Sequence, residues 1–541
     1  MESWLKYGLF SPRAAWLGAA LVALLAAGVY LKSKKPTSSS NIPLINPRKF
    51  YDLGGIRAKL AFVFGARRLL ALGVRTGRPF RLLTDIGEII VLPARYANEI
   101  RNDPRLSFSE VIVQNFHADF PGFEGFRQGT TDAHLSRDVA NNQLTHSLAR
   151  VTEALSEECA AALQDHFPAS GGKHSEDNES TSGSVVRFSR ADGKSVPEWS
   201  EITLREQVLQ LVARLSSRVF LGDEGARNEA WLKITTEYTK TAYIAAYLLR
   251  LWPPALRPVV HWFLPPCRKL RAQVAEARHI LVGIIEARRA AKAAAKAEDR
   301  PVPEYNDAIA WFEQDVEKRD SRYDPVVAQL ILSQAAIETT TDLLTQTILD
   351  IAQHQEVVEP LRQEITQVIR EGGWKKSSLY DMKLLDSVLR ESQRLKPLAM
   401  TSMHRQVLED VTLSDDVHLP KGSVIGVSGD RMWDPAVHAD PDKFDGHRFH
   451  RMRHGATTNN QAHLVSTSVD HLAFGHGKHA CAGRFFVAHE TKIALSHLLL
   501  KYDWDIAPSS AGTRPVEFGL VLAADPKARI LIRGRKAEIE L

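Results

Sequence analysis

One ten-residue stretch carries the plainest chemistry: Phe474-Gly475-His476-Gly477-Lys478-His479-Ala480-Cys481-Ala482-Gly483. Two glycines permit a tight turn and close backbone approach. Cys481 stands just ahead of a helical run, Arg484 to Leu500. A sulfur at a helix N-terminus faces backbone N–H groups and the positive end of the helix dipole, and both favour thiolate over thiol. A thiolate held this way can bind iron, and its electron donation favours O–O bond cleavage. The bland reading is a Gly-rich loop around a buried, inert cysteine. It would prevail for a lone Gly-x-Gly, but not for a pattern of this length.

Two further groups stand upstream. Ala335-Ala336-Ile337-Glu338-Thr339-Thr340 places an acid and two threonines inside a long apolar helix pattern. A mid-helix Thr can bond back to the i−4 carbonyl and bend the helix, so these residues are poorly explained as core. Glu391-Ser392-Gln393-Arg394 sets an acid and a guanidinium at i and i+3, on one helix face. Alone, such a pair is usually a surface salt bridge of little worth.

The loop at 474–483 resembles the haem-binding loop of the cytochrome P450 family, Phe-Gly-x-Gly-x-Arg/His-x-Cys-x-Gly, and every fixed position matches. The resemblance implies that Cys481 is the axial thiolate ligand of haem b, iron protoporphyrin IX. It implies that His479 contacts a haem propionate, and that Phe474 packs near the sulfur beside Gly475. His479 stands where many members have Arg, so that contact should be weaker or pH-sensitive. Glu338 and Thr339 match the family's oxygen-activation pair, implied to relay protons, with Ala336 where Gly is commonest. Pro441 to Phe449 matches the segment that supplies a second Arg to the Glu-Arg pair. Glu391, Arg394 and Arg448 are thus expected to form a buried triad serving fold and haem retention. Arg405 is a further expected propionate contact. Near residues 133–137 the family often has Trp-x-x-x-Arg; Trp is absent here, which leaves His134 and Arg137 as candidates.

The elements that must position these residues follow from the rest of the sequence. The chain has 541 residues, 44% hydrophobic and 25% charged, ordinary values for a globular protein. Its net charge of +5 is too small to suggest nucleic acid. Three cysteines, an odd number, exclude a disulfide scaffold and suit a reducing compartment. Ala14 to Leu31 has no charge and no Pro, and at about 1.5 Å per residue it reaches across a thin bilayer. Lys32, Lys34 and Lys35 follow it and place the body in the cytoplasm. A cleaved signal peptide is the alternative, with a cleavage site near Ala26-Ala27-Gly28.

The expected organisation is an anchor over 1–35 and a haem domain over 36–541. Residues 33–47 read as a stiff linker. Phe80 to Leu92 reads as a hairpin, and 167–197 as a flexible surface insertion. Helical patterns run from Ile202 to Leu221, Arg268 to Lys296, Pro325 to Ile351 and Val357 to Glu371, with short strands between Val407 and Val427. The fold class expected is mainly α with minor β. Leu398 to Met403 and Tyr243 to Trp252 should border a substrate cavity.

The resemblance implies a haem-thiolate monooxygenase that takes NADPH electrons from a separate reductase, with cytochrome b5 as an optional second donor, and uses O₂. The wording around the motifs looks like fungal members of secondary metabolism, which oxidise terpenoids, meroterpenoids or prenylated indoles, at the endoplasmic reticulum membrane. Desaturation or ring formation is the rival on the same fold. A non-catalytic membrane-tethered scaffold or binding protein is the rival of another class.

Overall fold

A computed structural model describes residues 41–48, 52, 56–131, 135–168, 186–188, 199–319, 323–455 and 458–541. The apolar run 14–31 lies outside the described residues, as does His134. Among the described residues no helix is long and apolar enough to cross a membrane.

The chain opens with helix α1 (Ile56–Val74) and the hairpin β1 (Phe80–Leu83) and β2 (Glu88–Leu92). Strand β3 (Leu106–Ser107) leads into α2 (Phe108–Asn115), followed by α3 (Glu124–Thr131) and α4 (Thr145–His166). Strands β4 (Val186–Phe188) and β5 (Trp199–Thr203) precede α5 (Leu204–Leu221) and α6 (Glu229–Arg250). Three helices follow: α7 (Pro265–Ala297), α8 (Ala308–Arg319) and α9 (Pro325–Gln353). Then come α10 (Val358–Gly372), α11 (Lys383–Leu395), β6 (Thr401–Val407) and β7 (Val424–Ser428). The chain closes with α12 (Arg484–Lys501), β8 (Tyr502–Ile506), β9 (Val516–Phe518), β10 (Val521–Ala523) and β11 (Arg529–Gly534).

The two main sheets lie to the side of a helical body. One has the order β1-β2-β7-β6-β3, with β2 and β7 parallel; the other has the order β8-β11-β5-β4. The mainly helical expectation with minor sheet holds. Several boundaries differ from it. Ile202 and Thr203 belong to β5, because their backbone pairs antiparallel with Ile530 and Arg529 before the helix begins. Within the expected insertion, 186–188 form β4 against β5; the residues on either side of it, 169–185 and 189–198, are outside the described set. The described part of the expected linker is not a free tether. The Ile45 amide donates to the Arg81 carbonyl at 3.0 Å, and the Arg81 amide to the Pro43 carbonyl at 2.8 Å, so this stretch runs along the edge of β1.

Helix α9 runs through the core. Asp324 caps it, its Oδ1 accepting from the amides of Val326 at 2.9 Å and Val327 at 3.3 Å, with Pro325 at the first position. A helix apolar on most sides must be buried. Leu344 and Ile348 are almost wholly so, each contributing about 1.5–3 kcal/mol. Helices α4, α5 and α12 share one continuous core with it.

The expected triad forms. Arg394 grips Glu391 with two bonds of 2.8 Å, and Arg448 Nε lies 3.1 Å from both carboxylate oxygens. Their remaining donors hold backbone carbonyls: Arg394 those of Met432 (2.6 Å) and Pro441 (2.8 Å), Arg448 that of Ala439 (2.6 Å). The Asp445 amide donates to Glu391 at 3.1 Å. Glu391 and Arg394 are fully buried. Removing one partner from such a set leaves uncompensated buried charge. Glu391→Ala is therefore expected to cost about 3–5 kcal/mol, read as a lower denaturation midpoint; a shift below ~1 kcal/mol would show the triad to be dispensable.

A second buried acid behaves differently. Glu490 of α12 receives one hydrogen bond, from Ser216 Oγ at 2.7 Å, and its other oxygen has no partner. Burial pushes its pKa up to about 8, against the smaller pull of Ser216. Between its ordinary 4.5 and about 8, the folded chain holds a proton that the unfolded chain has released. Stability should fall as pH rises through that window, by up to about 1.4 kcal/mol per pH unit. Glu490→Gln should flatten the slope, measured by urea unfolding at pH 5 to 8; an unaltered slope would contradict this.

Candidate active site

The loop anticipated around Cys481 folds as a tight reversal. Gly475 has φ +70° and Gly477 φ +77°, the left-handed region that favours glycine. A Cβ on Gly477 would also stand 2.4 Å from the Arg101 side chain, so this position requires a residue without one. The Cys481 amide donates to the Phe474 carbonyl at 2.8 Å, which closes the loop. The sulfur stands three residues before the start of α12, and the amides of Gly483 and Arg484 bond it. Cys481 is solvent-accessible through the cavity it lines, yet protein surrounds it. Burial pushes the thiol up, while those two amides and the Arg484 guanidinium pull it down. The expected helix-terminus donors are present, and desolvation outweighs them in this chain taken alone.

The cavity measures about 570 Å³ and its wall is mostly apolar. Ala335, Ala336 and Thr339 of α9 line it, as do Leu398 to Met403 (except Met400), Arg405, Phe474, Gly475 and His479. The stretch expected from Leu398 to Met403 is thus brought to the wall. Tyr243 and Trp252 are solvent-exposed, and neither is part of that wall; Tyr243 packs edge-on against Phe116.

Thr339 faces the cavity, its hydroxyl donating to the Ala335 carbonyl at 2.8 Å, the back-bond anticipated for a mid-helix Thr. Its lone pairs remain as acceptors on the cavity side. Glu338 does not line the cavity. Arg205 Nη2 of α5 binds it at 2.5 Å, and Lys240 Nζ of α6 lies at 4.0 Å. The structure therefore separates the two residues of the expected relay, placing Thr339 on the wall and Glu338 in a charge network behind it.

Cations collect at one part of the wall. Arg405 is 3% exposed; it donates to the His404 carbonyl at 2.7 Å and lies 5.6 Å over the Phe108 ring. Burial pushes its pKa down to about 10, with no carboxylate opposing. Arg137 lies 3.6 Å from Asp138, and its Nη1 is buried without a hydrogen bond. His479 also lines the cavity, 6.2 Å from Phe108 ring to ring. Buried cations left short of anions are costly unless a ligand brings them. A sulfur donor, an apolar wall and two under-paired guanidiniums fit a flat apolar macrocycle carrying an iron and carboxylates, and therefore fit haem.

Phe108, Ile331 and Leu343 also line the cavity, and the residue patterns did not single them out. Ile331 and Leu343 share the helical stripe of Ala335 and Thr339, and that period was the available signal. Phe108 had none.

The comparisons agree with this geometry. The cytochrome P450 family profile matches residues 201–532. Cytochrome P450 monooxygenase 1 of Gibberella fujikuroi is 46% identical over 86% of this chain and 99% of its own. Cytochrome P450 monooxygenase hepE of Aspergillus oryzae is 43% identical over 96% of this chain and 90% of its own. The structure of a retinoic acid-bound cyanobacterial P450, CYP120A1, superposes with a TM-score of 0.62 at 19% identity, covering 92% of this chain and all of that one, which speaks for the fold. Family membership implies a haem-thiolate cofactor and monooxygenase activity. The chain belongs to the cytochrome P450 family.

Proposed function

We propose that this chain is a haem-thiolate monooxygenase that oxidises a hydrophobic small molecule, a terpenoid, meroterpenoid or prenylated indole, in a fungal secondary-metabolite pathway. The observation that carries the enzymatic part is one cavity lined by both Cys481 and Thr339, with cations beside them. The substrate class rests on the apolar wall and on relatives from fungi named as monooxygenases. Hydroxylation, epoxidation and successive oxidation all fall within this reading.

When bound, haem supplies the activation of O₂ and its insertion into a C–H or double bond. Cys481 would hold the iron through its sulfur, which the amides of Gly483 and Arg484 steady. Arg405, Arg137 and His479, which line the cavity, would receive the haem carboxylates. Thr339 offers a hydroxyl oxygen on the cavity side and accepts a proton donor there. Glu338, bound to Arg205, reaches the cavity only by exchanging that partner, and so serves as an acid in transit rather than a fixed wall residue. Electrons come from NADPH through a separate reductase, with cytochrome b5 as an optional donor. The chain from 36 to 541 forms the haem domain. The apolar run 14–31 anchors it as a single pass in the endoplasmic reticulum membrane, the domain facing the cytoplasm.

The reduced, CO-bound absorption spectrum tests this. The intact protein is expected to show the Soret band of a thiolate-ligated haem, and Cys481→Ser to lose it. A chain that binds no haem would be a scaffold or binding protein. Thr339→Ala should keep the spectrum but uncouple O₂ use from product formation by about a hundredfold, the low end for a positioned proton-transfer group; unchanged coupling removes Thr339 from that role.

A further inference from the structure

Asp342 follows Thr339 by three residues, so both fall on the stripe of α9 that lines the cavity. It is 3% exposed, and its Oδ1 accepts the Ala524 backbone N–H at 2.7 Å. Burial pushes its pKa up to about 6; the Ala524 amide and Arg205 pull it down, and Glu338 adds to the rise. An acid this deeply buried is costly to keep. What it holds is one end of a short C-terminal segment.

That segment, 520–524, contains β10 and is bonded to a second part of the cavity wall. The Met400 amide donates to the Leu520 carbonyl at 2.8 Å, and the Leu522 amide to the Leu398 carbonyl at 3.0 Å, while Ala399 and Val521 form an antiparallel bridge. Leu398 and Ala399 line the cavity. A continuous path of backbone and hydrogen bonds therefore runs from α9 through Asp342 and Ala524 to Leu522 and Leu398. The outer end of the hairpin is fixed as well. The Gly519 amide donates to the Val63 carbonyl of α1 at 2.8 Å, and Arg67 pairs with Glu517 at 2.5 Å. With its outer end fixed, the segment is tied to α9 through the Asp342–Ala524 hydrogen bond.

We propose that Asp342 is a positioning residue: through Ala524 it sets the spacing between the α9 stripe and the Leu398–Met403 wall, and with it the bulk of ligand that fits beside the iron. The proposal rests on the haem-thiolate reading of Cys481.

The test uses the full-length holoenzyme and two azole probes, imidazole and the bulkier 4-phenylimidazole, each followed by the Soret shift on binding. The readout is the ratio of their dissociation constants, which cancels changes at the iron itself. Hydrogen exchange of residues 520–526 is measured alongside and needs no ligand. Asp342→Ala is expected to change the ratio by about tenfold and to speed exchange. Asp342→Asn keeps the carbonyl acceptor and should hold the ratio within about twofold of the parent. Asp342→Glu keeps the acceptor on an arm one methylene longer, so exchange should stay slow while the ratio shifts. Faster exchange at constant ratio in Asp342→Ala overturns the positioning role, and unchanged exchange overturns the tie. If Asp342→Ala does not load haem, an unshifted ratio in Asp342→Glu overturns the proposal. A parent protein with no azole shift would refute the haem reading instead, and the exchange measurement would still judge the tie.

Discussion

A single carboxylate, that of Glu391, holds together parts of the chain that no hydrophobic contact could fix in register. Two guanidiniums and an amide converge on it. Through the other donors of Arg394 and Arg448 the same knot fastens the carbonyls of Met432, Ala439 and Pro441, in a stretch largely without regular secondary structure. Irregular backbone buried in this way would otherwise strand its polar groups. The stretch leads in sequence toward the loop that presents Cys481. Arg suits the role because its planar fork can bind a carboxylate and still address carbonyls beside it.

Charge is handled in two opposite ways. At Glu391 it is cancelled within the chain. Around the cavity it is left uncancelled: Arg405 feels no opposing carboxylate, and Arg137 keeps a buried nitrogen without a bond. A protein can afford that arrangement where a ligand completes the pairing, since the buried partner then stabilises the complex more than the free chain. Glu338 is intermediate, an acid paired with Arg205 yet one residue from the cavity-facing Thr339.

Legibility from sequence followed the range of the interaction. The Cys481 loop and the Glu391–Arg394 pair could be read because their geometry is set within ten residues, by glycine conformation and helix period. Arg448 was found through the family pattern, not through local spacing. The helix of Glu338 was legible, but its partner Arg205 was not, since 133 positions separate them and only packing of α5 on α9 brings them together. Ile202 and Thr203 read as the start of a helix, whereas the strand partner that claims them, Arg529–Ile530, lies at the far end of the chain. The residues at 41–46 looked like a linker because an edge strand's worth of pairing with Arg81 has no local mark. The clamp at Asp342 is of the same kind: nothing in Thr-Thr-Thr-Asp points to Ala524.

Strand β6 carries a feature of wider reach. Its pairing with β7 slips between Ser402 and Arg405, and Met403 sits at φ +54° within the slip. A regular strand shows alternate residues to one side, yet Thr401, Ser402, Met403, His404 and Arg405 all reach the same cavity. The slip lets one short strand serve both the apolar and the cationic parts of the wall. Its corollary concerns length rather than identity: a residue gained or lost between Thr401 and Arg405 would move the guanidinium off its station.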